Sequence, residues 1–549
     1  MDRLQNNGII AFITNRSFID SRAFDGFRKC VQDDFDFCYI IDTKSDVRAN
    51  PKIAGTTHNV FGIQTGVAIM FLVRKEKREN KTCHIQYISL DDFWPKEQKL
   101  QWIAEYPLQK IPFERITPDS KNNNWINLAD TNFDTLLPVI DKDVKAGKSE
   151  KAIFKLFSRG VETTRDEWVY DLNFDYLINK IKYFIEKYNS SVAKGKMDLS
   201  IKWSSSLEAH LGSKQTVKYE KSKVKKGLYR PFFKLFHYSE KLFNHRLTEN
   251  HYSFFGAELN KENILLNFSG LGSSKPFHCL GSNVLSGLDT LEKTQCIPLY
   301  RFAETGERVE NITNWGLEQF CNHYGFKPLK EKKEKTLASV KTADNTLESP
   351  PEFDQPHLKD NEKQMLHEPE PQYGKQAISK EDIFNYVYAV LHHPAYRKKY
   401  ELNLKRDFPR IPFYDDFFKW VDWGKQLMDL HINYETVKPF GLKAQKIAEK
   451  ENPKAKLKAD KETGEIVLDE NTVLSGIPAI AWQYKLGNRS ALEWILDQYK
   501  EGTPSDPTIA ERFNTYRFAD YKKQVIDLLN RVCTVSVETM EIINQMPAE

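Results

Sequence analysis

The sequence predicts an α/β opening, a mixed α+β middle and a largely helical C-terminal part. Three observations predict it. Residues 8–75 alternate short apolar runs with one helical period. Residues 151–327 mix strand-like and helical segments around a stretch dense in Lys, Arg and aromatic side chains. Beyond residue 377, apolar residues recur at helical spacing.

The first run, Gly8-Ile9-Ile10-Ala11-Phe12-Ile13-Thr14, is almost wholly apolar and rich in strand formers. A strand buried on both faces has this composition, because it shows no polar alternation. Asn15, Arg16 and Ser17 then break the run. Ser17 is placed to cap a helix from about 18 to 33, with apolar positions at Phe18, Ile19, Ala23, Phe27, Cys30 and Val31. Strands over 37–41 and 67–73 follow, the second after Gly62 and Gly66. In open α/β sheets chemistry gathers where strands end, which makes Asn15 and Arg16 candidates to line a cleft. An ion-paired, structural Arg16 is the competing reading. The chain enters a core-like strand at once, with a neighbour in view for only one edge. The expectation is therefore a fragment, or one half of a split enzyme, whose other strands precede Met1.

Residues 84–90 alternate like a strand, and Asp91 or Asp92 is placed to cap a helix running through Trp102 and Ala104. A polar, partly helical segment runs on to Lys148. From Lys214 to Arg246 the chain has ten Lys or Arg against two Glu, interleaved with Tyr219, Tyr229, Phe232, Phe233, Phe236, Tyr238 and Phe243. Basic side chains supply phosphate contacts, and aromatic faces stack on extruded bases. A solvated basic face over ordinary core aromatics has the same composition. Residues 328–376 are rich in Lys, Glu and Pro without apolar periodicity, which predicts a disordered linker. Ser379 with Asp382 starts a helix by a capping box. Arg410-Ile411-Pro412-Phe413 is extended, residues 415–430 are helical, and a β-ribbon is expected around Thr463 and Gly464. The expected domains are thus 1–150, 151–327 and 377–549, with the linker between the last two.

The chain has 549 residues, 40% hydrophobic and 28% charged, which suits a globular protein of several domains. A net charge of +4 decides nothing, so clustering must carry any nucleic-acid argument. Seven scattered Cys without a CxxC pair point to a reduced, cytoplasmic setting. No apolar run reaches membrane-spanning length, and no signal-peptide pattern opens the chain. Cys321 with His323, and Cys83 with His84, lack second pairs at ligand spacing, so no metal site is expected.

Residues 8–31 and 59–75 resemble the last third of an N6-adenine DNA methyltransferase domain. Leu228-Tyr229-Arg230-Pro231-Phe232 and His245-Arg246 resemble its target-recognition region. The stretch from Ile383 to His392, with Phe408 to Phe413 and Val535-Ser536-Val537-Glu538-Thr539, resembles the type ISP restriction–modification family. In that family nuclease, helicase, methyltransferase and specificity parts follow one another in a single chain. The resemblance implies that residues 8–75 are the last three strands of a Rossmann-like methyltransferase sheet, followed by a target-recognition region. It implies S-adenosyl-L-methionine as the parent enzyme's cofactor and double-stranded DNA as partner. Phe61 corresponds loosely to a segment that helps hold a flipped adenine; core packing is the alternative. Lys223, Lys225, Lys226, Tyr229, Arg230 and Arg246 are the expected DNA contacts.

The catalytic motifs themselves are missing. Ser349-Pro350-Pro351-Glu352 begins like the family's catalytic loop but lacks the aromatic residue and a preceding strand. Phe268-Ser269-Gly270-Leu271-Gly272 begins like the cofactor turn, yet Ser273-Ser274-Lys275-Pro276 follows where a helix should start. No nuclease constellation and no Walker loop is present. The expected function is sequence-specific DNA recognition within such an enzyme, with catalysis supplied by an upstream methyltransferase, helicase and nuclease portion. The alternative is a DNA specificity subunit that works with a separate catalytic chain.

Overall fold

The computed structural model describes residues 4, 7–46, 56–77, 82–118, 123–126, 131–329 and 377–548. Its contacts fall into two compact units, Met1–Thr135 and Leu136–Glu549. The boundary lies short of residue 150 for a local reason. Leu137 and Pro138 pair with Ile411 and Arg410, and Ile153 N donates to the Pro138 carbonyl. Residues just after 136 therefore take their backbone partners from downstream.

The first unit is built on one five-stranded sheet. β1 (Gly8–Asn15), β2 (Phe37–Asp42), β3 (Val67–Arg74), β4 (His84–Ser89) and β5 (Glu114–Ile116) take the order β1-β3-β2-β4-β5. β3 runs antiparallel to β1 and β2, and β2 runs parallel to β4. Cys38 and Ile40 of β2 and Ala68, Met70 and Leu72 of β3 share a core with Phe18, Phe35 and, from α1 (Asp25–Asp34), Val31.

β1 departs from expectation. Predicted to be buried on both faces, it is an edge strand hydrogen-bonded to β3 alone, with Ile9, Phe12 and Ile13 exposed by 68%, 52% and 59%. Apolar composition reports what a strand could bury, not whether a neighbour is there. The helix expected over 18–33 is also broken. Two 3-10 turns, Arg16–Phe18 and Arg22–Phe24, precede α1, and Asn15 replaces Ser17 as the capping side chain, its Oδ1 accepting from Ser17 N at 2.9 Å. Neither Asp91 nor Asp92 caps α2 (Lys96–Glu105). They accept instead from Phe93 N and Ser45 N, and Pro95 takes the cap position.

In the second unit, two four-stranded sheets carry the middle of the chain. One joins Tyr170–Asp171, Val224–Arg230, Phe233–Tyr238 and Leu285–Ser286. The other joins Ser158–Arg159, Leu265–Phe268, Cys279–Ser282 and Gln295–Pro298. Helix Phe174–Lys194, capped by Asn173, brings Leu177, Ile181, Phe184 and Tyr188 into the same core as Leu228 and Phe232.

Downstream, the expected capping box forms: Asp382 N donates to Ser379 Oγ at 3.0 Å and Ser379 N to Asp382 Oδ2 at 2.9 Å. Helices Lys380–His392, Phe417–Ile432 and Phe518–Asn544 dominate this part. It is not helical throughout. The charged stretch folds as a four-stranded antiparallel sheet, Lys443–Lys446, Thr472–Ser475, Glu465–Asp469 and Ala455–Asp460 in spatial order. Trp168, Phe184 and Leu228 pack in one core with Trp482, Tyr484, Leu529 and Val532. The regions expected as separate domains over 151–327 and 377–549 are thus a single unit. The expected linker lies, from residue 330 on, outside the described residues. Among the described residues no helix is long and apolar enough to cross a membrane, and the seven Cys are free.

Candidate nucleic-acid interface

The basic-aromatic stretch folds into a β-hairpin. Lys226 stands opposite Phe236 and Lys225 opposite His237, and the register slips by a bulge between Phe233 and Lys234. Arg230 pairs with Phe233 and Leu228 with Lys234, so Tyr229 is the extra residue of the bulge and the strand's alternation is broken before Arg230. The turn is anchored by Phe232, a non-glycine residue at φ 56° whose buried ring meets Tyr434 at 5.2 Å and His431 at 6.0 Å. The hairpin's bend therefore depends on residues two hundred positions away.

The six residues expected to touch DNA do not share one environment. Lys223 Nζ sits between Glu220 Oε1 at 2.7 Å and Glu240 Oε2 at 2.5 Å. Burial works against its charge, but the two carboxylates outweigh it and raise its pKa. Arg246 Nε lies 3.4 Å from Glu162 and remains half exposed. Lys226 Nζ stands 3.5 Å over the Phe236 ring, and the Arg230 guanidinium 4.1 Å over Tyr229. Among the described residues, Lys225, Lys226 and Arg230 have no carboxylate partner. Elsewhere on the stretch, Lys234 pairs with Glu435 at 2.7 Å and Lys241 with Glu249 at 2.5 Å.

Tyr229 and Arg230 line a cavity of about 450 Å³ together with Thr163, Asp166, Tyr170 and Asp289. Tyr229 Oη donates to Asp166 Oδ2 at 3.1 Å, and Thr163 Oγ1 donates to Asp166 Oδ1. Burial pushes the Tyr229 phenol up to about 12; Arg230 opposes the shift and Asp166 reinforces it. The hydroxyl is thus a donor at neutral pH. Behind the cavity Arg165 is fully buried. It donates to the carbonyls of Lys202 and Phe243 and to Ser204 Oγ, and burial lowers its pKa to about 10. The cavity thus sets Arg230 and an aromatic wall beside four carboxylates, Glu162, Asp166, Glu167 and Asp289. Asp166, Asp289 and Arg165 escaped the sequence reading, because they lie outside the basic stretch and nothing in their spacing marks them.

In the first unit, Asn15 pairs with Val67, and Arg16 N donates to the Gly66 carbonyl. Asn59 folds the adjoining loop by accepting from Phe61 N at 2.9 Å and donating to the Thr65 carbonyl at 2.8 Å. Asn15, Arg16 and the Phe61 loop therefore meet at one end of the sheet. Arg16 is held there by Asp42, at 2.9 to 3.0 Å through Nε and Nη2, and by Asp20 at 3.0 Å. Phe61 is not core: 55% of it is exposed, beside a half-exposed Ile63.

The run Phe268 to Gly272 leaves a strand hydrogen-bonded antiparallel on both sides, and no helix follows it. A Cβ at Gly270 would lie 2.1 Å from the Lys293 carbonyl oxygen, so the glycine serves close backbone packing. Residues 349–352 lie outside the described residues.

Three solved structures resemble the chain over its full length. A DrdV–DNA complex matches at 42% identity and TM-score 0.77, with the chain covering 51% of it. A nuclease-deletion mutant of the Type ISP restriction–modification enzyme LlaGI, in complex with a DNA substrate mimic, matches at 26% and 0.71, with 47% covered. The ATP-dependent Type ISP enzyme LlaBIII bound to DNA matches at 25% and 0.72, with 33% covered. The chain thus spans about half the length of the first two and a third of the last. No curated protein matches. The model of the Type ISP C-terminal specificity domain matches residues 152–528, most of the second unit, and the chain belongs to that family.

Proposed function

We propose that the chain recognises a target in double-stranded DNA, as the specificity part of a restriction–modification enzyme whose catalytic part is an S-adenosyl-L-methionine-dependent N6-adenine methyltransferase. One observation carries the reading: on the 224–238 hairpin Lys225, Lys226 and Arg230 form no ion pair with a carboxylate among the described residues. Such charges hold phosphates, and the adjoining cavity at Tyr229 and Arg230 reads bases. Arg246 exchanges its long contact to Glu162 for a phosphate, whereas Lys223, bound twice, contributes charge at a distance. DNA binding by the full chain should weaken steeply with salt. Lys225→Ala, Lys226→Ala and Arg230→Ala should each lower the log–log salt slope by about 0.9. Binding that ignores salt, or slopes unchanged in all three variants, overturns the reading.

The turn at 270–272, which begins like the family's cofactor turn, does not fit the cofactor. The glycine-containing turn at 270–272 packs on Lys293 and opens no helix, so no cradle faces a ligand there. In this reading the cofactor belongs to the catalytic part, and no step of methyl transfer is assigned to the described residues. The apolar edge of β1, with Ile9, Phe12 and Ile13 exposed, supports a strand neighbour from that part. That neighbour belongs either to the same polypeptide or to a separate catalytic subunit. Exposed Phe61, at the Arg16 end of the sheet, would then pack on the extruded adenine, since a base within a duplex is out of reach.

A further inference from the structure

A second cavity, of about 390 Å³, is lined by Lys142, Lys145, Arg159 and Lys293, with Gln295 and Phe408. The four cations come from three separated segments: the helix Lys142–Lys145, the strand Ser158–Arg159, and the residues before the strand Gln295–Pro298. No carboxylate lines the cavity, and among the described residues none of the four cations forms an ion pair. That is unlike the 214–246 stretch, where Lys223, Lys234, Lys241 and Arg246 all have acidic partners.

The backbone around the cavity is bent to keep it so. Glu292 and Lys293 are consecutive non-glycine residues at φ 63° and 53°. Left-handed backbone at two such residues persists only where surrounding contacts impose it, and it clusters at binding sites. Here it separates two opposite charges that adjoin in sequence. Glu292 turns away to accept hydrogen bonds from Ser273 Oγ at 2.9 Å and Ser274 N at 3.0 Å. Lys293 turns toward the cavity, its Nζ fixed by the Gly272 carbonyl at 2.7 Å. Lys145 Nζ lies 4.9 Å over the Phe157 ring, whose edge meets Phe408 at 5.4 Å. Arg159 is placed by its strand: Gln295 is its ladder partner, and its carbonyl is engaged by His251 Nε2 at 2.9 Å. Four like charges drawn together without an acid repel one another unless an anion joins them.

We propose that this cavity holds a backbone phosphate of double-stranded DNA, as a sequence-independent anchor apart from the Tyr229–Arg230 cavity. The proposal rests on the reading of the chain as a DNA-recognition module. Chain continuity favours DNA as the source of the phosphate: Arg159 lies three residues before Glu162, the partner of Arg246. The two cavities thus flank one short segment, as contacts to successive phosphates would.

The test uses the full chain and three duplexes of unrelated sequence, with Kd measured across a salt series. Lys142 and Arg159 are exposed, so Lys142→Ala with Arg159→Ala should leave the unfolding temperature unchanged. The double variant should bind every duplex more weakly by the same factor, with the salt slope reduced by about 0.9, the share of one phosphate. Lys142→Arg with Arg159→Lys should restore the slope. Unchanged affinity and slope in the alanine variant, or a loss confined to one duplex, overturns the proposal while the hairpin variants still test DNA recognition. Absence of salt-dependent binding by the wild-type chain overturns both.

Discussion

Arg16 and Asp42 form a pair that no spacing rule could have matched. The Asp42 side chain is wholly enclosed, and it accepts from Arg16, from Tyr87 Oη at 3.0 Å and from Lys44 N at 2.9 Å. Arg16→Ala would strand a buried acid and should destabilise the first unit by about 3 kcal/mol in urea unfolding. Arg16→Lys should recover only part of that, because one ammonium cannot reproduce the guanidinium fork; a cost well under 1 kcal/mol would show that the pair is not structural. Buried histidines give the second unit a pH dependence. Burial pushes His237, His251 and His278 down to about 4, against hydrogen bonds to the Asn244 side-chain oxygen and to the Arg159 and Pro276 carbonyls, respectively, that oppose it. The unfolded chain, with His near 6.5, binds protons that the folded chain refuses. The stabilisation is therefore complete above about pH 6.5 and is lost as pH falls toward 4, by roughly 3 kcal/mol for each histidine. Denaturant unfolding between pH 7 and 4.5 measures it, and His237→Gln should flatten the curve by one proton.

Among the elements, the helices Lys380–His392 and Phe417–Ile432 show how far local rules reach. Their starts and amphipathic spacing were legible, since a capping box and apolar periodicity are properties of neighbours in sequence. Their closeness was not. A Cβ at Gly424 would sit 1.9 Å from the Asn385 carbonyl oxygen, so the glycine lets the two backbones touch. Helix propensity alone makes Gly424→Ala stabilising by about 1 kcal/mol. The contact reverses the sign: the helices must separate, and the variant should lose about 2 kcal/mol, read as a lower unfolding temperature. A raised temperature would mean that the helices pack further apart. β1 and the 443–475 sheet mark the limits in the other direction. β1 was identified as a strand with the 67–73 strand on one edge, but it was expected to be buried on both faces, and of the sheet only a ribbon at Gly464 was foreseen. That glycine sits at φ 70°, where a Cβ would meet the Ile477 carbonyl oxygen at 2.5 Å.

For the whole molecule, the open apolar edge of β1 carries a prediction. The isolated chain should associate with rising concentration, and Phe12→Lys with Ile13→Lys should suppress this in sedimentation velocity without lowering the unfolding temperature, since both side chains are already exposed. Incubated with labelled S-adenosyl-L-methionine and duplex DNA, the chain should transfer no methyl groups; robust turnover would show that the described residues hold a cofactor site after all. By itself the sequence determined what nearest neighbours can determine: most strand and helix positions, the capping box at Ser379, the basic-aromatic stretch and the likeness to the Type ISP specificity region. Tertiary structure alone decided which cations are available. Glu240 neutralises Lys223, Glu435 neutralises Lys234 and Glu162 engages Arg246, while Lys142, Lys145, Arg159 and Lys293 line a cavity without a carboxylate. Whether a charge is free depends on side chains brought across the core from distant segments, and that information exists only once the chain has packed.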